Sequence, residues 1–116
     1  MTIKLLIFGS KGWIGTQFIT YLNENHKNDE YFTFIETNVR ADNEVMVNDI
    51  IIAHSPTHII SFIGRTYGPG INSIDYLEQK GKLKDNIRDN LYSPLVLATL
   101  ANKYQIHYIL LFLYMF

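Results

Sequence analysis

Apolar residues fall in short blocks, and the blocks alternate between two rhythms. Ile3 to Phe8 is almost continuously apolar and ends at Gly9, which predicts a strand buried on both faces of a parallel sheet rather than an alternating surface strand. Trp13, Phe18, Ile19 and Leu22 then recur at helical spacing until the polar stretch Asn23 to Asp29 ends the helix. Tyr31 to Ile35, aromatic and β-branched, predicts a second strand. Asp42 or Asn43 can cap a helix carrying Val45, Val47, Ile50 and Ile51, which runs to His54 and stops at Ser55-Pro56. Thr57 to Ile63 predicts the third strand. A long helix comes next, from about Lys84 to Tyr104, with Ile87, Leu91, Leu95, Ala98 and Ala101 on one face. Pro94 sits inside it and predicts a bend, since proline lacks an N–H and clashes with the carbonyl four residues back. Ile106 to Phe112 is the last strand. The rhythm predicts a three-layer α/β sandwich with a short parallel sheet of about four strands, ordered in space second, first, third, fourth, because crossovers are right-handed.

Composition narrows the picture without redirecting it. The 116 residues include 10 Lys+Arg against 11 Asp+Glu and 47% apolar residues, the balance of one small domain with an ordinary core. A net charge of −1 and the lack of any arginine-rich, aromatic-interleaved stretch argue against a nucleic-acid partner. There is no cysteine, so thiolate metal sites, disulfides and cysteine nucleophiles are excluded together. The amino terminus runs straight into an apolar strand with no secretion-signal pattern, which predicts a cytoplasmic protein. The longest apolar run, Tyr108 to Phe116, is far shorter than the ~17–25 residues a membrane-crossing helix needs, so no membrane partner is expected.

The loop between the first strand and first helix reads Gly9-Ser10-Lys11-Gly12-Trp13-Ile14-Gly15. In a G-x-x-G-x-x-G at this place, the first glycine permits a tight turn and the second lets backbone amides approach a pyrophosphate at the positive end of the helix. The third lets the helix pack closely on the strand. The context of buried strand before and amphipathic helix after is the one a dinucleotide loop requires, which makes the fold Rossmann-like. The usual ribose reader is an acid at the end of the second strand, and Glu36 lies close to that place. Arg40, just beyond, can instead pair with a 2′-phosphate, with Lys11 as a second cation on the same group, so the residues favour NADP(H) over NAD(H).

These residues resemble the extended short-chain dehydrogenase/reductase family. Within it they are most similar to the 4-keto-6-deoxyglucose 3,5-epimerase/4-reductases, the dTDP-4-dehydrorhamnose reductase-like enzymes that make nucleotide-linked rhamnose in plants and large DNA viruses. The marks are Gly12-Trp13-Ile14-Gly15, Arg40, and Pro56-Thr57-His58-Ile59-Ile60 leading into Ser61-Phe62-Ile63-Gly64. Further on come Thr66, Asp75-Tyr76-Leu77-Glu78 and Arg88-Asp89-Asn90-Leu91; together they span about residues 3 to 108. The resemblance implies that residues 1–116 are a partial NAD(P)-binding domain without its substrate domain. It implies cofactor contacts from Gly9 to Gly15, Arg40, Phe62, Ile63, Gly64 and Asn90, and a substrate contact from Thr66.

The departures are specific. The family has Asn-Ala-Ala-Gly where this chain has Ser61-Phe62-Ile63-Gly64, a bulkier turn without the side-chain amide. After the strand at Ile106 the family continues into a catalytic Ser or Thr and a Tyr-x-x-x-Lys. Here the chain runs Ile109-Leu110-Leu111-Phe112-Leu113-Tyr114-Met115-Phe116, and neither Tyr108 nor Tyr114 has a lysine four residues on. The expected function is an NADP(H)-binding portion of a nucleotide-sugar epimerase/reductase, inactive alone and truncated relative to an ancestral enzyme. A noncatalytic NADP(H)-binding or interaction module, self-associating through its last strand, and a nonfunctional gene product are the alternatives.

Other polar residues carry less. His26, His54, His58 and His107 stand on separate elements without ligand spacing, so no metal site is expected. Ser10 and Ser61 lack a base and an orienting group and read as loop hydrogen-bonders. Asn90, in the middle of an apolar helix face, either serves the site as in the family or bonds neighbouring backbone.

Overall fold

The computed structural model describes residues 2–63, 84 and 88–111, of Asp89 and Asn90 only the backbone. The element at the centre is β1 (Ile3–Phe8), hydrogen-bonded on one side to parallel β2 (Phe32–Glu36) and on the other to parallel β3 (His58–Ser61). β4 (His107–Leu110) extends the sheet beyond β3, giving the order β2-β1-β3-β4 that the crossover argument predicts. Leu6, Ile7 and Phe8 are completely buried because a central parallel strand is covered on both faces. Alternation then divides the core. Leu5 and Ile7 pack with Phe18, Ile19 and Leu22 of α1 (Trp13–Asn25), whereas Leu6 and Phe8 pack with residues of α2 (Glu44–His54) and α3 (Ser93–Lys103) on the opposite face. That is the three-layer arrangement.

Capping chemistry sets the helix ends. Asn43, not Asp42, caps α2: its Oδ1 accepts from the Met46 N–H at 3.1 Å. Ser55 closes the same helix in the left-handed region (φ 47°), its N–H donating to the Ile51 carbonyl at 2.8 Å. Across the layer, the Tyr104 hydroxyl donates to Asn48 Oδ1, tying the end of α3 to α2.

Several sequence expectations need correction. β2 is displaced by one residue from 31–35, leaving Tyr31 exposed outside it. β3 is shorter than 57–63 because the Ile63 N–H turns back onto Ser61 Oγ at 3.2 Å. β4 is likewise shorter than 106–112, position 112 lying outside the described residues. Trp13 does not join the apolar face of α1 but is 79% exposed, since five residues at about 100° each put it some ~140° from Phe18.

The largest correction concerns the long helix. Among the described residues Lys84 is α-helical, Arg88–Tyr92 form a π-helical turn, and α3 begins at Ser93. Pro94 clashes with the carbonyl four residues before it, and the wider turn accommodates that carbonyl, while Ser93 Oγ donates to the Arg88 carbonyl at 2.8 Å. The extra residue in the turn rotates the α-helical segment beyond it. Leu91 and Leu95, predicted on the buried face, are 61% and 58% exposed; Ala101 of that face is buried as predicted, and Val96, Leu97 and Leu100 join it in the core. Ile87, from the same predicted face, lies outside the described residues.

Candidate functional site

The loops leaving the carboxyl ends of β1, β2 and β3 converge with the start of α3 around a cleft of about 230 Å³. This is where open α/β sheets bind ligands, at the point where the chain reverses its direction of winding. Each wall is fixed by local chemistry. The Thr37 N–H donates to the Ile7 carbonyl at 3.1 Å, and Thr37 Oγ1 accepts from the Val39 N–H at 3.1 Å, which turns the chain out of β2 along the cleft. Next, the Asn43 N–H donates to the Arg40 carbonyl at 3.0 Å and closes a tight turn whose inner residue, Ala41, is buried in the core with Val47 and Ile51.

The three glycines of the first loop do three different things. Gly9 has φ 74°, and a Cβ there would come within 2.9 Å of the Ile63 nitrogen and the Phe62 carbonyl carbon. It therefore lets the loop after β1 nest against the loop after β3. A Cβ on Gly15 would lie 2.3 Å from the Gly9 carbonyl oxygen, so that glycine is what lets α1 approach the loop. Gly12 differs: its ordinary φ of −73° suits any residue, and a Cβ would meet nothing nearer than the Gly9 oxygen at 3.7 Å. It caps α1 with no side-chain bond, where Ser or Asp would serve the helix better. Nothing within the described fold requires glycine at position 12; an object approaching the helix end from outside would.

Charge enters at the mouth. Lys11 and Arg40 line the cleft from opposite loops, and Arg40 Nε donates to Asp42 Oδ1 at 3.1 Å. Glu36 is the exposed last residue of β2, in register with Ile7, and is not part of the lining. Of the sequence-predicted residues, Gly9, Ser10, Lys11, Arg40 and Ile63 line the cleft. Gly12, Trp13, Ile14 and Gly15 lead away from it into α1, and Phe62 faces the other side of the sheet with its ring 5.2 Å from Phe18. Gly64, Thr66 and the Asn90 side chain lie outside the described residues. The cleft also takes in Thr37, Asn38, Asp42 and Ser93, which periodicity does not single out. The position of Thr37 and Asn38 directly after a central-sheet strand is the signal that would find them; Ser93 is hidden by the π-turn.

Among the described residues no group of three potential metal ligands comes together, and no helix is long and apolar enough to cross a membrane.

No family model matches the chain. Among curated proteins, protein L780 of Acanthamoeba polyphaga mimivirus is 47% identical over 105 residues, 90% of this chain and 35% of L780. The crystal structure of L780, described as a UDP-rhamnose synthase, matches with a TM-score of 0.84 at 44% identity, covering 95% of this chain and 37% of that one. The dTDP-4-dehydrorhamnose reductase of Bacillus anthracis in complex with NADP matches with a TM-score of 0.71 at 18% identity, over 93% of this chain and 35% of that one. The GDP-mannoheptose C4 reductase of Campylobacter jejuni with NADP bound does so at 0.71 and 16% identity, over 94% and 32%. The last two show the fold. The likeness to L780 bears out the resemblance to rhamnose-making nucleotide-sugar enzymes, over about a third of the relatives' length and in their N-terminal part.

Proposed function

We propose that this chain is the NADP(H)-binding part of a nucleotide-sugar epimerase/reductase of the UDP-rhamnose synthase kind, and that the 116 residues alone do not turn over a 4-keto-6-deoxyhexose. The observation that carries the cofactor reading is Gly12: a helix-capping position with open space around it, beside a cleft lined by Lys11 and Arg40. The N–H groups at the start of α1 can donate to a pyrophosphate there, and a side chain at position 12 would stand in its path. Ser10 and Ile63 form the adjoining walls. Arg40 and Lys11 line the cleft and can both pair with a 2′-phosphate, whereas Glu36, the acid that would read a free ribose diol, is the exposed last residue of β2 and is not among the lining residues. This favours NADP(H) over NAD(H). Bound NADPH supplies a hydride; the chain's own residues here bind and orient the cofactor.

The state of Tyr108 supports the absence of turnover by these residues alone. Reduction of a ketone needs a proton donor with a pKa tuned toward neutrality. Burial instead pushes Tyr108 on β4 up to about 12, away from that range.

Calorimetric titration of the 116-residue chain with NADPH and NADH tests the reading. NADPH binding that Arg40→Ala weakens at least about tenfold, with NADH little changed, is expected from loss of a charge-assisted hydrogen bond. No binding of either nucleotide would sink it.

A second reading has one observation in its favour. β4 is the outer strand of the described sheet, without Lys, Arg or Pro to blunt it, and Ile109 within it is 39% exposed. Such an edge is a template for pairing, so the chain is expected to self-associate through it.

A further inference from the structure

Resting on the NADP(H) reading above, we propose that Asp42 is a positioning residue that aims Arg40 at the 2′-phosphate, and so sets cofactor preference through Arg40. Arg40 and Asp42 belong to one tight turn, closed by the Asn43 N–H on the Arg40 carbonyl at 3.0 Å. The turn is rooted by buried Ala41, so the two side chains start from a fixed base beside the cleft. Asp42 is the more enclosed partner, 24% exposed against 61% for Arg40, and its Oδ1 takes the Nε–H at 3.1 Å. A guanidinium engaged through Nε keeps its terminal N–H groups for another oxyanion, in one plane and direction. Released from Asp42, the same mostly exposed side chain would sweep through solvent and have to be ordered when the phosphate binds.

Two effects of Asp42 oppose each other. Its negative charge repels a phosphate, and its bond to Nε removes the ordering cost from Arg40. The repulsion is blunted because the charge is already paired with Arg40, and Lys11 on the facing loop brings a second positive charge to the same cleft. Orientation therefore dominates. Immobilising one long side chain accounts for about a three- to tenfold effect on affinity.

The test measures NADPH and NADH affinity for the 116-residue chain, Asp42→Ala, Asp42→Asn, Arg40→Ala and the Arg40→Ala/Asp42→Ala double variant, each first checked for a native thermal transition. Asp42→Ala is expected to weaken NADPH about three- to tenfold and leave NADH unchanged. Asp42→Asn, which keeps an acceptor for Nε, should restore most of the loss and also serves if the alanine variant does not fold. In the Arg40→Ala background, Asp42→Ala should have no further effect, because its influence passes through Arg40. Tighter or unchanged NADPH binding by both Asp42 variants overturns the inference while leaving the cofactor reading intact. Equal weakening of NADPH and NADH also overturns it, making Asp42 a structural residue of the turn. A wild-type chain that binds neither nucleotide overturns the cofactor reading, and the inference with it.

Discussion

Replacing Gly12 and Gly15 separately by alanine distinguishes a glycine the fold needs from one a ligand needs. At Gly15 the new methyl would sit 2.3 Å from the Gly9 oxygen, well inside the 3.0 Å below which a Cβ essentially never approaches another heavy atom. The oxygen cannot retreat cheaply, because Gly9 already lies so close to the Phe62–Ile63 peptide that even a Cβ on it would come within 2.9 Å of that peptide. Over-packing against backbone of this kind costs about 3 kcal/mol or more. For a domain of this size the melting temperature should fall by ~10 °C or more. At Gly12 the methyl meets only ordinary contact at 3.7 Å. Alanine caps a helix less well than glycine, but it also reduces the freedom of the unfolded chain by ~0.4–1 kcal/mol, so the net change should stay within about 1 kcal/mol of zero. Its effect should appear in NADPH binding, where losing one backbone bond to a charged phosphate weakens affinity at least about tenfold. Thermal denaturation and calorimetric titration of the same two proteins give both readings. If Gly12→Ala lowers the melting temperature as far as Gly15→Ala does, or binds NADPH as tightly as the wild type, the division of roles among the glycines is wrong.

Single side chains elsewhere give further expected outcomes. Tyr108→Phe should be neutral or slightly stabilising in urea denaturation, because the buried Tyr108 hydroxyl has no hydrogen-bond partner among the described residues and the phenylalanine leaves nothing unsatisfied. With its folded pKa raised from 10.0 to about 12 by burial, Tyr108 contributes stability that is complete below pH 10 and lost as the pH climbs through that window. Alkaline unfolding should accordingly shift upward in Tyr108→Phe. Tyr104→Phe removes the bond to Asn48 and should cost ~0.5–1.5 kcal/mol by denaturant titration, a loss Asn48→Ala should largely reproduce. Ile109→Lys should shift the chain toward monomer in sedimentation velocity without changing NADPH affinity; unchanged association would mean that β4 is not the contact.

The sheet order was legible because its causes are local: a continuous apolar strand, a glycine loop and crossovers of fixed hand leave few arrangements for four strands. Just under half of the cleft lining was legible for the same reason, Gly9, Ser10, Lys11, Arg40 and Ile63 lying in the loops that leave the strands. The remainder depended on features without a period. The face α3 buries is decided by the π-turn at Arg88–Tyr92, and a strict helical repeat counted through it selects Leu91 and Leu95, which point to solvent. Ser93 reaches the cleft through that same turn. Trp13 reads as core when it is counted into the helical spacing of Phe18, Ile19 and Leu22, yet its angle around α1 from Phe18 sets it outside. Asp42 and Asn43 both suit a helix cap in sequence; the structure gives that role to Asn43 and leaves the Asp42 carboxylate to Arg40.

The close approach of Gly9 to the Phe62–Ile63 peptide also constrains the order of events during synthesis. The left-handed turn at Gly9 lies against residues far later in the chain, the Phe62 N–H donating to the Phe8 carbonyl at 3.0 Å, and β1 cannot pair with β3 before those residues exist. On the ribosome, the first loop therefore leaves the exit tunnel long before its own template does. Until the third strand emerges and docks, the amino-terminal unit has a strand, a helix and an unset hinge between them. Hydrogen exchange at the amides following Gly9 should then report the arrival of β3 rather than the formation of α1, a long-range closure detected in a segment whose sequence looks wholly local.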